Sequence, residues 1–520
     1  MIIGDMDKID RISELPEFIL HIILSILDTK STIRASVLSK KWYHAWSSMP
    51  VLDFNIKYFK KGSDIDSNYS DDDDDDVDDD DDIYDDHTVK QFIGFVEKTM
   101  QRYFTRKYRI TKLDIVLPHV DENIDTFVDN WISIAVQNQI QELNIDIFDG
   151  IQDYELPEIL FRAKSLKVLT CNNVNLRYYE KMDLVSLGSL SFFLGRLDED
   201  MLQKIISLSP LVELCITHRD IRNLSLPWTK KVYKGAECDS TLREFVYHGL
   251  GSTSRWAWNM NLNALKNLRK LKISATTVTD DIVSEIAYGL VALESLELKG
   301  CSMLKCVKIS SISLKKFVIE GEISFDSHNL VEITVDTPNL LEFWCSCDLE
   351  ASVSLIRARD HCNTCFLPQW ANFITIAWFA KLKKFLVETH CFKSLDIDLG
   401  CFSWMDIDEE VLRIIGITGS PYKLRELKLY ETNADLFIFK QSTIMDYLDA
   451  LFSTCNPDVL SLCFQNLPPE DFLGYLKCKV QCSKHPLKKF EVEGVDCSNL
   501  PLEPSGLEFR FRLSWLSVES

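Results

Sequence analysis

A short pattern of apolar and polar positions recurs along most of the chain. One apolar residue is followed by two variable positions and then by apolar residues that alternate with polar ones, as in LREFVY at 242–247 and LRKLKIS at 268–274. About a dozen copies lie between residues 110 and 494, and many of them begin roughly 21–31 residues apart. Because successive side chains of a strand point to opposite faces, each copy predicts a short strand with one buried face.

A single copy cannot enclose a core, so neighbouring copies are expected to stack into a solenoid. The spacing is close to the ~20–29 residues of a leucine-rich repeat, and helical stretches such as 121–139 and 280–290 lie between the strands. We therefore predict an α/β fold, in which parallel strands and helices form an irregular leucine-rich-repeat solenoid over residues 87–520. The alternative is a chance recurrence of leucine-rich strands in another α/β fold. The number of copies argues against that alternative, although the spacing becomes irregular after residue 340.

The N-terminal segment has a different pattern. Within residues 15–27 an apolar run is interrupted only by Glu17, His21 and Ser25, and Pro16 suits the first turn of a helix. Two more short helices are expected after it, but three helices over about 40 residues can bury only part of this apolar surface among themselves. The remaining surface is predicted to be an interaction site. The alternative is that this surface packs on the solenoid, so that the helices act as a cap.

The net charge of −22 is concentrated in one segment. Residues 71–86 contain 13 Asp, and the net charge of the remaining residues is only −9. Like charges at this density cannot bury apolar surface, so we predict a disordered Asp-rich loop over residues 60–86, inserted in the first repeat. A calcium site is disfavoured, because the run lacks the Gly and the terminal Glu of an EF-hand loop. The acidic balance also argues against nucleic acid and against an anionic membrane as the main partner.

Sequence motifs of enzymes are missing. The chain has no G-x-S-x-G, no phosphate-binding loop that ends in Gly-Lys-Ser/Thr, and no H-E-x-x-H. We therefore expect a non-catalytic protein without a cofactor. No run approaches the ~18–20 apolar residues of a membrane span, and no secretory signal is visible. The 16 Cys are therefore expected to be reduced, which favours a cytoplasmic or nuclear location.

A zinc site is the strongest metal hypothesis. CSC at 345–347 and HCNTC at 361–365 supply four Cys and one His, and Cys362 and Cys365 have the spacing of a zinc-binding pair. Cys also recurs at the ends of repeat strands elsewhere, where it behaves as a small buried hydrophobic residue. The second interpretation is favoured, so no metal is predicted.

Residues 9–54 resemble the F-box of plant F-box/leucine-rich-repeat proteins. The Leu-Pro pair of that family falls on Leu15 and Pro16, and its VLSK-W motif falls on residues 37–42. There are two departures: Phe18 replaces the usual acidic residue, and Asp28 replaces the usual Pro after the helix. The resemblance implies that an SKP-type adaptor is bound by Leu15, Pro16, Ile19, Leu20, Ile23, Leu24, Leu27, Val37, Leu38, Trp42 and Trp46.

In that family the adaptor joins the F-box protein to a cullin–RING ubiquitin ligase. The resemblance therefore implies a substrate-recognition subunit, which recruits an unidentified protein substrate through its solenoid for ubiquitination. Two alternatives stay open. One is a ligase-independent interaction scaffold, which turnover of the target would exclude. The other is a small-molecule co-receptor, which a ligand-dependent interaction would identify.

The strand pattern also gives candidate substrate-binding residues. The leucines of each strand point into the core, so the alternate residues lie on the other face of the sheet, the predicted concave face. The candidates on that face are Lys272, Lys299, Trp344, Lys428 and Tyr430. Trp344 and Tyr430 are the expected anchors, because aromatic side chains contribute much of the binding energy of interfaces. The mixed charge of the face favours a protein partner over a polyanion.

Overall fold

The computed structural model of the chain describes most of its residues. The described ranges are 15–27, 29–59, 86–118, 124–148, 154–195, 198–218, 241–249, 265–274, 278–321, 330–368, 376–398, 420–430, 441–463, 469–481, 487–496 and 508–515. The predicted Asp-rich loop at 60–86 lies outside them, apart from Asp86, which begins a helix.

The chain divides into two compact units. The first comprises residues 1–219, 224–247 and 259–265, and the second comprises 220–223, 248–258 and 266–520. No helix among the described residues is both long enough and apolar enough to span a membrane.

The first unit begins with three short helices. These are α1 (Glu17–Ile26), α2 (Thr29–Ser36) and α3 (Lys40–Ser47). The carbonyl of Pro16 accepts hydrogen bonds from the N–H groups of Ile19 and Leu20, and the Ser39 hydroxyl caps α3 by accepting from the Trp42 N–H at 3.3 Å. The second helix ends at Ser36, so Val37 and Leu38 lie in the turn that follows it and not on a helical face.

Parallel strands follow the three helices. They are β1 (Val51–Asn55), β2 (Lys112–Pro118), β3 (Glu142–Phe148), β4 (Val168–Asn172), β5 (Ser189–Phe193), β6 (Glu213–His218) and β7 (Glu244–Gly249), and the helices between them are α4 (Asp86–Arg106), α5 (Ile124–Gln137) and α6 (Glu199–Leu208). β1 to β6 pair in chain order. One row of leucines runs in register through β2 to β6, and all five are buried: Leu113, Leu143, Leu169, Leu190 and Leu214.

The second unit contains two sheets. Its main strands are β8 (Lys270–Ser274), β9 (Ser295–Lys299), β11 (Lys316–Glu320), β13 (Glu342–Cys347), β15 (Asn363–Pro368), β16 (Ser394–Asp398), β17 (Tyr422–Tyr430) and β18 (Cys455–Cys463), all parallel. A smaller parallel sheet is formed by β10 (Cys306–Ser310), β12 (Glu332–Asp336) and β14 (Ser352–Leu355). The helices are α7 (Asp280–Gly289), α8 (Ile376–Thr389), α9 (Gln441–Thr454) and α10 (Pro469–Gln481). The α/β architecture predicted from the sequence, short helices followed by a long series of parallel strands, is confirmed.

The C-terminal strands are not parallel. The last strand in the sequence, β20 (Glu508–Trp515), lies between β18 and β19 (Leu487–Asp496) and runs antiparallel to both. The parallel arrangement predicted for the solenoid therefore does not extend to these last two strands. β20 completes the hydrogen bonding of β18. Without β20, β18 would be the edge strand of the sheet, with one side unpaired.

Two further copies of the sequence pattern do not join the main sheet. Residues 382–388 form part of α8, because Leu382, Phe385 and Leu386 are buried at a helical spacing that also matches the strand pattern. Residues 330–336 form β12 of the smaller sheet. The next copy begins only ten residues later, which is too short a distance for a complete repeat.

The aromatic core of the second unit gives a prediction about stability. Phe343 is buried and stacks on Phe317 and Phe392, with ring centroids 5.8 and 6.0 Å away. Phe343→Ala should lower the free energy of unfolding by about 3–5 kcal/mol, because it leaves a cavity between two rings. The exposed neighbour Glu342 gives a matched control. Glu342→Ala should change the free energy of unfolding by less than about 0.5 kcal/mol. Urea unfolding of both variants measures this, and equal midpoints would contradict the assigned core.

Candidate interaction surfaces

The three N-terminal helices share a small core. Leu20 and Leu24 lie one helical turn apart on α1 and are completely buried, where they pack with Trp42 and Ala45 of α3. Leu15, Ile23 and Trp46 are partly buried against the same cluster, which Met49 completes. This core uses one side of α1 only.

The other side of α1 is apolar and exposed. Phe18, Ile22 and Ile26 follow one another at intervals of four residues and are 63%, 53% and 78% exposed. Val37 and Leu38, in the turn before α3, are also exposed. We call these five residues the apolar stripe. Exposed large apolar side chains of this kind are typical of protein-binding sites.

The structure separates the predicted adaptor-binding residues into three groups. Pro16, Leu27, Val37 and Leu38 are exposed, whereas Leu15, Ile19, Ile23 and Trp46 are half-buried. Leu20, Leu24 and Trp42 are buried in the helical core, so we assign them to the core and not to the docking surface. The sequence reasoning did not include Ile22, Ile26 or the half-exposed Tyr43 among the binding residues. The helical spacing from Phe18 was the signal that could have indicated the first two.

Polar side chains connect the start of α1 to the end of α3. The Ser48 hydroxyl donates to Glu17 Oε1 at 3.0 Å, and His21 Nε2 lies 3.3 Å from the same hydroxyl. These contacts explain two of the polar residues that interrupt the apolar run.

The helical module is attached directly to the first repeat. The Tyr103 hydroxyl, on α4, donates to the Met49 carbonyl at 2.6 Å, and the Thr111 hydroxyl donates to the Pro50 carbonyl at 3.0 Å. The Arg102 guanidinium lies over the Trp46 ring at 4.8 Å. Burial raises the pKa of Tyr103 well above its ordinary value, so its hydroxyl remains a donor at any physiological pH. The exposed stripe is therefore held in a fixed orientation relative to the repeat that follows it.

Ion pairs cross the outward face of the second unit. Glu297 is 3.4 Å from Lys272 and 3.3 Å from Lys316, and Lys299 is 3.3 Å from Glu320. Each pair joins neighbouring strands, β8 with β9 or β9 with β11. The pairs are partly exposed, so they stabilise the sheet only slightly and leave the lysines available to a partner.

The predicted aromatic anchors lie further along the same face. Trp344 on β13 is half-buried and pairs in register with Cys365, a thiol whose pKa is raised by burial and raised further by the nearby Asp396 carboxylate. Tyr430 is also half-buried and pairs in register with Asp398. Burial raises the pKa of Tyr430 well above its ordinary range, and the nearby carboxylates of Asp398 and Asp396 raise it further.

The C-terminal strand contributes to this face. Glu426 accepts hydrogen bonds from the Ser461 hydroxyl at 2.8 Å and from the Arg510 guanidinium, on β20, at 3.2 Å. Lys428 lies in register between Asp396 and Ser461. The structure thus places all five residues predicted for substrate binding on the outward face of the strands: Lys272, Lys299, Trp344, Lys428 and Tyr430.

The four cysteines and one histidine of the zinc hypothesis are spread between the buried interior and the surface. Within the part of the chain that the structure describes, no three His, Cys, Asp or Glu side chains converge as metal ligands would. Cys345 and Cys347 are both buried, with their sulfur atoms 3.7 Å apart, whereas His361 is exposed. Burial raises the pKa of the Cys345 thiol, and it raises that of Cys391 to about 12, so both are protonated thiols at neutral pH.

Two family models match the chain. The F-box domain model matches residues 12–54, and the model of the At1g61320/AtMIF1 LRR domain matches residues 253–386. These segments contain the helical module and, in the second unit, the strands from β8 to β15.

Similar proteins are known from Arabidopsis thaliana. The chain is 30% identical over 219 residues to the putative F-box protein At1g49610, an alignment that covers 41% of this chain and 45% of the relative. It is 29% identical over 217 residues to the F-box/LRR-repeat protein At5g02910, covering 41% and 40%. It is 27% identical over 267 residues to the FBD-associated F-box protein At5g56370, covering 50% and 53%. The chain thus spans about half the length, or less, of these curated relatives.

The attachment of the helical module gives the second prediction. Tyr103→Phe removes the donor to the Met49 carbonyl and should lower the free energy of unfolding by about 1–3 kcal/mol, because a buried acceptor is left unpaired. Tyr108 is the control, since its hydroxyl accepts a hydrogen bond from Arg106 near the surface. Tyr108→Phe should change stability by less than about 0.5 kcal/mol. Denaturant unfolding of both variants tests this, and a larger loss in Tyr108→Phe would contradict the assigned role.

Proposed function

Because the chain belongs to the plant F-box/leucine-rich-repeat family, we propose that it is the substrate-recognition subunit of an SKP–cullin–F-box ubiquitin ligase. The observation that supports this most directly is the apolar stripe, which the core of the three helices leaves uncovered. An SKP-type adaptor would cover it and connect the chain to a cullin–RING ligase.

The adaptor-binding surface that we propose combines the stripe with the residues at its ends. Leu15 and Pro16 lie at the start of α1, and Leu27 follows its last turn. Burial of large apolar side chains supplies the affinity. Leu20, Leu24 and Trp42 contribute indirectly, because their packing keeps the exposed side of α1 in place.

The outward face of the strands would bind the protein target. Its side chains come from successive strands in register, so they are held rigidly relative to one another. In this proposal the chain does no chemistry itself. It raises the local concentration of a target lysine near a charged ubiquitin carrier, and proximity of this kind accelerates a bimolecular transfer strongly.

Adaptor binding tests the proposal. The Phe18→Ser/Ile22→Ser variant should bind an SKP-type adaptor about 100-fold more weakly, because each lost apolar contact is worth roughly 1.5 kcal/mol or more. The thermal stability of the variant should be close to that of the wild type, since both side chains are more exposed than buried.

The matched control is Val185→Ser/Leu208→Ser. These residues belong to the same unit and are exposed to a similar degree, 56% and 58%. The control should retain wild-type affinity for the adaptor in calorimetry or surface plasmon resonance. Equal affinities of the two double variants, with both proteins folded, would exclude the stripe as the adaptor-binding site.

A further inference from the structure

Two aromatic rings and three carboxylates lie on the outward face of the second unit, on four of the five consecutive paired strands β11, β13, β15, β16 and β17. They belong to Trp344, Tyr430, Glu320, Asp396 and Asp398, which we call the cradle. Asp398 and Tyr430 face each other across neighbouring strands, and β11, which carries Glu320, is the neighbour of β13, which carries Trp344. All five side chains are half-buried, so they are held in place while a part of each remains accessible.

A cation already occupies one side of the cradle. The Lys299 ammonium lies 5.6 Å from the centre of the Trp344 ring and 3.3 Å from Glu320 Oε2. The geometry is that of a cation–π contact supported by one carboxylate. The Lys299 side chain is 44% exposed, so water weakens both contacts and a better-placed cation can displace it.

Lys428, which lies in register beside Asp396, offsets part of the negative charge, but the three carboxylates together still favour positive charge at the cradle. The carboxylates of Asp398, Asp396 and Glu320 all act on the Tyr430 hydroxyl, whose pKa burial already raises. Burial keeps the Cys365 thiol protonated, and the nearby Asp396 carboxylate raises its pKa further. Low exposure makes each of these charges act more strongly than it would in water.

We propose that the cradle accepts a lysine or arginine side chain from an extended segment of the target, which displaces Lys299 from the Trp344 ring. This inference rests on the proposed function, because it names the chemistry of the segment that the outward face would bind. The net charge of −9 outside residues 71–86 agrees with it, since a mildly acidic chain favours a basic partner over an acidic one. An acidic segment would be repelled by the three carboxylates.

Lys299 gives the proposal a distinctive consequence. If Lys299 only stabilised the sheet, Lys299→Gln would weaken target binding or leave it unchanged. In the proposed arrangement this substitution removes a competitor and leaves Glu320 free to pair with the incoming cation. Binding of a basic segment should then become several-fold tighter, in line with the strength of a partly exposed cation–π contact and ion pair.

The probe is a phage-displayed library of random dodecapeptides. It is selected on the immobilised full chain and counter-selected on the Trp344→Ala/Tyr430→Ala variant. The retained peptides should share a Lys or Arg, and replacing that residue with Gln in the synthetic peptide should raise the dissociation constant about tenfold. Glu320→Gln should weaken binding by a similar factor.

A matched control comes from the outward face of the first unit. Glu142 is an exposed carboxylate on β3, and Glu142→Gln should leave the affinity for the selected peptides unchanged. Retained peptides without a shared basic residue would overturn the proposal, as would selection of the same peptides by the aromatic double variant. Unchanged or weaker peptide binding by the Lys299→Gln variant, an exposed substitution that should not disturb folding, would also overturn it.

Adaptor affinity is measured on the same proteins to separate this inference from the proposed function. Peptide selectivity for a basic residue with no adaptor binding would refute the ubiquitin-ligase role and leave the cradle intact. Normal adaptor binding with no such selectivity would refute the cradle alone.

Discussion

The structure depends on one constraint: a short strand with one apolar face cannot bury that face by itself. Each leucine of the row that includes Leu113, Leu143 and Leu169 is covered only because the next strand pairs in the same register. A shift by one residue would turn the row outward and bury polar side chains. The same register therefore fixes the positions of the outward residues, from which a binding surface can be built.

The first and last strands of such an array lack a neighbouring repeat on one side, so other contacts must complete them. At the N-terminal end, Tyr103 and Thr111 hold the backbone that leaves the helical module, so this module and the first repeat are mechanically connected. At the C-terminal end, β20 pairs with β18 and leaves β19 as the last strand. β19 contains register shifts and exposed charged residues, among them Lys488 and Glu491. Both features discourage pairing with a further chain.

The strands could be predicted from the sequence, because the alternation of buried and exposed residues along a strand is visible within a short segment. The sequence does not show which side of α1 packs, since that helix is apolar on most sides and the choice is made by Trp42 and Ala45 on another helix. That is why Leu20 was expected at the docking surface and Ile22 was not. The spacing of apolar residues in 382–388 fits both a strand and a helix, and tertiary packing selected the helix. The antiparallel position of β20 depends on pairing between distant segments, which a local pattern does not encode.

The central claim is that the uncovered side of α1 docks on the adaptor while the outward strands remain free for a target. Hydrogen–deuterium exchange of the full chain, with and without a saturating SKP-type adaptor, tests it most directly. The account predicts slower exchange of the backbone amides in residues 17–27 and 37–43, and unchanged exchange in β13 and β17. Unchanged exchange in α1, or adaptor-dependent protection confined to the strands, would contradict it.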